Sequence, residues 1–114
     1  MNEQLEQIFV KYFQYLVDEF EYKIDSSRYD SKSFGNFIIE LSKGSKKIKI
    51  LSDRSQIFID IFTPDTGWSD KEKLLEQNGI PRGRFGLTKT GLWIGYEIEN
   101  QSRDLYEHKD LLEL

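Results

Sequence analysis

The chain has 114 residues, 32% of them charged, with 20 acidic and 16 basic side chains and a net charge of −4. It has no cysteine and one histidine, which excludes a disulfide scaffold, thiolate metal sites, a cysteine nucleophile and multi-histidine metal centres. A single domain over residues 1–114 is expected at this length, and surface scaling lets it bury about two-thirds of its unfolded area.

The charge is segregated. Residues 1–25 carry a net −4, residues 26–56 a net +4, residues 57–80 a net −3, residues 81–91 a net +3 and residues 92–114 a net −4. Such blocks are either solvated faces or, in the basic middle, a surface that steers an acidic protein or nucleic acid. Met1-Asn2-Glu3-Gln4 lacks a basic n-region, so no signal peptide is expected. No apolar stretch is long enough for a membrane span, and cytoplasm is the default expectation.

Leu5, Ile8, Phe9, Tyr12, Phe13, Leu16 and Val17 recur at helical spacing and predict one amphipathic helix from Glu3 to Asp18 or Glu19. Phe20, Tyr22 and Ile24 then alternate with Glu21, Lys23 and Asp25, as in a strand. Ser26, Ser27, Asp30 and Ser31 mark a turn or irregular edge. Phe34 to Ser42 is a second strand, with Phe37, Ile39 and Leu41 on one side. Gly44 suits a hairpin turn. Lys46 to Leu51 alternates, with Ile48 and Ile50 on one face and Lys47 and Lys49 on the other. Gln56 to Phe62 is apolar on both faces except at Asp60, which predicts an interior strand covered on each side.

Pro64 and Gly67 break the pattern. Ser69 with Glu72 reads as a capping box for a helix from Asp70 to about Gln77, ended by Asn78-Gly79. Residues 82–91 form a basic glycine-containing loop. The last segment favours a long helix from Glu97 to Leu112, with a strand over Leu92–Ile98 and a short helix as the alternative. The expected fold class is α+β: an N-terminal helix on a three- or four-stranded antiparallel meander, then a short helix and a C-terminal helix.

Chemistry is thinly supplied. His108 reads as a solvated helical histidine, and Asp104, Glu107 and Asp110 as solvation near the chain end. No Gly-x-Ser-x-Gly elbow accompanies any serine. Asp60 interrupts an apolar strand, so it is a structural polar candidate. It would be paired with Arg54, Arg82 or Arg84 or bonded to backbone, exposed at an edge, or part of a binding or catalytic site. The loop from Arg82 to Gly91 matches neither a dinucleotide fingerprint nor a Walker motif. Arg84 beside Phe85, together with Arg82, could bind an acidic partner, and Lys47 and Lys49 add a second positive surface. Trp68 is either a packing anchor between sheet and helix or an exposed interface aromatic. No metal or cofactor is expected.

Leu16-Val17-Asp18-Glu19-Phe20, Ser33-Phe34-Gly35-Asn36, Ile39-Glu40-Leu41, Asp53-Arg54-Ser55-Gln56 and Phe58-Ile59-Asp60-Ile61 together resemble a family of small uncharacterised bacterial proteins. They also resemble the immunity proteins of polymorphic toxin systems, over roughly residues 5–62. Where such proteins have a glycine in the Asp-Arg-Gly-Gln turn, this chain has Ser55. The resemblance implies a compact fold of helices and strands and stoichiometric binding to another protein, and it carries over no catalytic residue. The expected function is a noncatalytic protein-binding domain, in its most specific form one that neutralises a cognate toxin. The alternatives are a nucleic-acid-associated regulator using its basic residues, disfavoured by the overall acidity, and a small hydrolase built on Asp60.

Overall fold

The computed structural model describes residues 1–33, 35–80 and 95–113. Among these residues five strands form one antiparallel sheet in chain order: β1 (Lys23–Asp30), β2 (Asn36–Lys43), β3 (Lys46–Asp53), β4 (Gln56–Thr63) and β5 (Gly67–Asp70). Helices α1 (Glu3–Tyr12) and α2 (Tyr15–Asp18) precede the sheet. Helices α3 (Lys71–Gln77) and α4 (Ile98–Glu107) and a closing 3₁₀ turn (Lys109–Glu113) follow it. The α+β architecture expected from the sequence is therefore present, with a fifth strand added. None of the described helices is long and apolar enough to cross a membrane.

Alternation fixes which face is dry. Phe37, Ile39 and Leu41 of β2, Ile48 and Ile50 of β3, and Ile57, Ile59 and Ile61 of β4 are buried together. They pack with Leu5, Phe9, Phe13 and Leu16 from the first two helices, Leu74 and Leu75 of α3, and Leu105, Leu111 and Leu112 at the C-terminal end. A one-residue slip in any of these strands would turn its whole apolar set to the other face.

The expected single N-terminal helix is broken at Phe13 and Gln14. The Ser102 hydroxyl donates to the Tyr12 carbonyl, and the Leu16 amide turns to the Phe13 carbonyl instead, at 3.0 Å. Packing of α4 against α1 thus interrupts the helical ladder without moving the apolar stripe off the core. The next strand starts later than its alternation suggested. Glu21 takes a left-handed φ of 62°, and the Tyr22 amide donates back to the Leu16 carbonyl at 2.9 Å. The left-handed residue turns the chain back after α2, at a position where glycine is usual. Phe20 and Tyr22 enter the core from that turn, and the polar run Ser26–Asp30 is strand rather than turn.

The hairpins follow turn chemistry. Gly44 has φ 62° as the first central residue between β2 and β3, as a type II′ turn requires. Between β3 and β4 both central residues, Arg54 (φ 53°) and Ser55 (φ 68°), are left-handed. That is the type I′ pattern, made here without glycine. Gly67 to Asp70, read from sequence as turn and cap, instead pairs with Asp60–Thr63 as β5. The N-cap of α3 is consequently Asp70, not Ser69: its carboxylate accepts from the Lys73 amide at 2.9 Å.

Candidate functional site

β4 is an interior strand, as expected; the second face of the sheet carries no helix among the described residues, and Phe58, Asp60 and Phe62 of β4 are half-buried there. Register sets the side chains of this face in rows. Glu40, Lys49, Asp60 and Asp70 lie side by side across β2 to β5. Lys23, Ser42, Lys47, Phe62 and Trp68 form the next row, and Arg28, Ile38, Leu51 and Phe58 the row on the other side.

The aromatic end of this face is the part with most contact potential. Trp68 is 47% exposed, and its ring meets Phe62 edge-on with centroids 5.6 Å apart. Lys49 Nζ lies 5.0 Å from the Trp68 ring centre, and Lys47 Nζ lies 5.5 Å from that of Phe62. Both ammonium groups sit within cation–π range, so their stems and the rings form one amphipathic surface. Phe58 continues it toward Tyr96, with centroids 5.2 Å apart. The reading of Trp68 as an anchor between sheet and helix does not hold. It stands on an open strand face because residues 67–70 are a strand, which sends alternate side chains to opposite sides.

Asp60 is half-buried, and its partner is Lys49 at 4.0 Å, directly opposite on β3. It is not Arg54, which lies in the β3–β4 turn beside Asp53 at 3.9 Å. Arg82 and Arg84, the other proposed partners, and Phe85 lie outside the described residues. Burial pushes the Asp60 carboxyl above its ordinary range, Lys49 pulls it down, and Asp70 raises it again. Across the three rows the basic Lys23, Arg28, Lys47 and Lys49 are interleaved with the acidic Glu40, Asp60 and Asp70. The basic block of the sequence therefore does not become a basic face here. Alternation and register interleave it with carboxylates.

Two other features carry polar groups. A hollow of about 490 Å³ at one end of the sheet is lined by Arg28, Asp30, Ser33, Asn36, Ile38 and Asp53 among others. Asp60 is not part of its lining. Two of those polar groups serve local turns: Asp30 accepts from the Lys32 amide at 3.0 Å, and Asn36 from the Arg54 amide at 2.9 Å.

Between α3 and α4, Lys71 is 1% exposed, and its ammonium donates to the equally buried Asp104 and, at 2.9 Å, to Glu72. His108, the C-cap of α4, places Nδ1 3.3 Å from Asp104 Oδ1. Asp104 is thus a core counter-charge rather than chain-end solvation, and His108 is a half-buried cap rather than a solvated side chain. The sequence signal for this was the Asp104–His108 spacing of one turn. Nothing local marked Lys71, whose partner is 33 residues away. Among the described residues no group of three or more histidine and carboxylate side chains is placed to hold a metal ion.

No protein-family model, curated protein or solved structure matches the chain.

Proposed function

We propose that the chain is a noncatalytic protein-binding domain that engages its partner through the open sheet face around Trp68. The observation that carries this reading is the exposed Trp68, flanked by Phe62 and Lys49 on a face with no helix over it among the described residues. Tryptophan is enriched among the few residues that supply most interface energy, and a contiguous exposed apolar patch marks an interaction site. The interleaved charges favour a protein over a nucleic acid. A phosphate backbone is read by unopposed cations, whereas Lys49 here faces Asp60 and lies in one row with Glu40 and Asp70. Paired opposite charges beside an aromatic anchor suit a mixed protein surface and fix its orientation.

The more specific form, a cytoplasmic immunity protein occluding a cognate toxin, rests on the resemblance of the segments between Leu16 and Ile61. The test is affinity capture from the native host at endogenous abundance, with wild type, Trp68→Ala and Val10→Ala in parallel. Val10, 56% exposed, is an apolar side chain on α1. A partner held by wild type and Val10→Ala but lost by Trp68→Ala supports the assignment. If that partner is a toxin whose activity falls at equimolar ratio, the immunity form stands. Equal recovery by all three chains removes the proposed surface.

A further inference from the structure

We propose that β1 is a dimerisation edge, and that a second copy of this chain pairs with it antiparallel about a two-fold axis through Ser27. β1 is eight residues long and, among the described residues, has a neighbouring strand on one side only. Its outer backbone groups are a template for another strand, a feature that proteins either block or use. The opposite edge, β5, has four residues and follows Pro64.

The commitment to a second copy comes from charge order along the strand. Its sequence is Lys23-Ile24-Asp25-Ser26-Ser27-Arg28-Tyr29-Asp30. The pairing of β1 with β2 shifts between Ile24 and Ser26, which makes Asp25 a bulged extra residue. Ile24, Ser27 and Tyr29 are half-buried and face the helices, while Lys23, Ser26, Arg28 and Asp30 face away. In an antiparallel pair, facing residues must share a face.

With the axis at Ser27, this condition is met along the whole strand. Ser27 faces Ser27, Asp25 and Ser26 together face Arg28, Ile24 faces Tyr29, and Lys23 faces Asp30. Every charge meets its opposite and every apolar side chain meets an apolar one. Both halves of the interface do so at once, as a two-fold contact demands. Moving the axis to Arg28 would set two guanidinium groups against each other, so the same charges that favour one register oppose that one.

Three of these four charges are also unspent within one chain. Among the described residues Lys23, Asp25 and Arg28 have no side-chain hydrogen bond or ion pair. Pairing would join two five-stranded sheets into one of ten strands and leave the face around Trp68 open on each copy. Self-association and the proposed binding surface therefore occupy different parts of the molecule.

The test is sedentation-type mass analysis, by analytical ultracentrifugation over a wide concentration range, of wild type, Arg28→Glu and the double reversal Asp25→Lys/Arg28→Glu. All altered side chains are exposed, and circular dichroism verifies the fold of each variant. Wild type is expected to reach twice the chain mass as concentration rises. Arg28→Glu introduces two like-charge contacts per dimer and weakens it by about tenfold. The double reversal restores complementarity in both halves and returns the affinity to near wild type. A wild-type chain that stays monomeric at about 1 mM overturns the proposal. So does a dimer indifferent to Arg28→Glu, or one that the double reversal fails to restore. Hydrogen exchange that protects β1 amides only when another protein is added would assign the edge to that protein instead.

Discussion

Replacing Lys71 by methionine keeps the stem and volume of the side chain and removes its charge. The ammonium is enclosed at the start of α3, where the helix dipole disfavours a cation, and it is held there by Asp104 and Glu72. Without it, the buried Asp104 carboxylate loses the ammonium that donates to it. Removing one member of a buried ion pair costs about 3–5 kcal/mol. A chain of this length unfolds with an entropy of about 0.24 kcal/mol/K at its midpoint, so a loss of about 3 kcal/mol lowers Tm by about 12 °C. Urea denaturation followed by far-ultraviolet circular dichroism measures the loss. Because the cost comes from the charge left behind, Lys71→Met/Asp104→Leu is expected to recover at least half of it. A loss below about 1 kcal/mol for Lys71→Met would refute the reasoning, since a removable cation is not what keeps Asp104 buried.

Three further outcomes follow from the same geometry. Ser55→Gly relieves a left-handed residue in the β3–β4 turn and should stabilise the chain by about 0.5–1 kcal/mol, seen as a higher urea midpoint with unchanged slope. Burial pushes the Tyr22 hydroxyl up to about 12 from 10.0, and in the fold it donates to the Leu112 carbonyl at 3.1 Å. The unfolded chain therefore releases this proton first, and the stability tied to Tyr22 is intact below pH 10 and declines between pH 10 and about 12. Denaturation across that range should show a shallower decline in Tyr22→Phe. Asp60 has its carboxyl raised by burial and by Asp70, so its ionised form is disfavoured in the fold and the associated stability declines as pH rises through its titration. Asp60→Asn should leave Tm at neutral pH unchanged or slightly higher, and a marked fall would mean that the Lys49 pair outweighs the burial.

Period made much of this fold readable. Phe37, Ile39 and Leu41 against Ile48 and Ile50 fixed both the strands and the face that meets the helices, because a two-residue repeat has only one dry solution. The departures have a common origin in contacts between segments distant in sequence. Ser102 breaks the first helix by taking the Tyr12 carbonyl, although the apolar stripe runs through the break. Ser26 to Asp30 looks like turn by composition but forms an edge strand, where polar residues are tolerated on the solvent side. The short β5 was hidden by Pro64 and Gly67, and its recognition is what moves Trp68 from a turn to a sheet face. Lys47 and Lys49 were legible as an exposed pair. Their matching with Asp60, Asp70 and Glu40 required the register across strands. The Lys71–Asp104 pair joins two helices 33 residues apart and left no local pattern.

Calorimetric titration of the captured partner into wild type, Trp68→Ala and Val10→Ala would measure what the open face contributes to binding. If Trp68 anchors that interface, its truncation weakens binding by about thirtyfold or more, Val10→Ala stays within about twofold of wild type, and all three chains melt at similar temperatures. Equal affinity for wild type and Trp68→Ala would contradict the assignment of the sheet face as the binding surface.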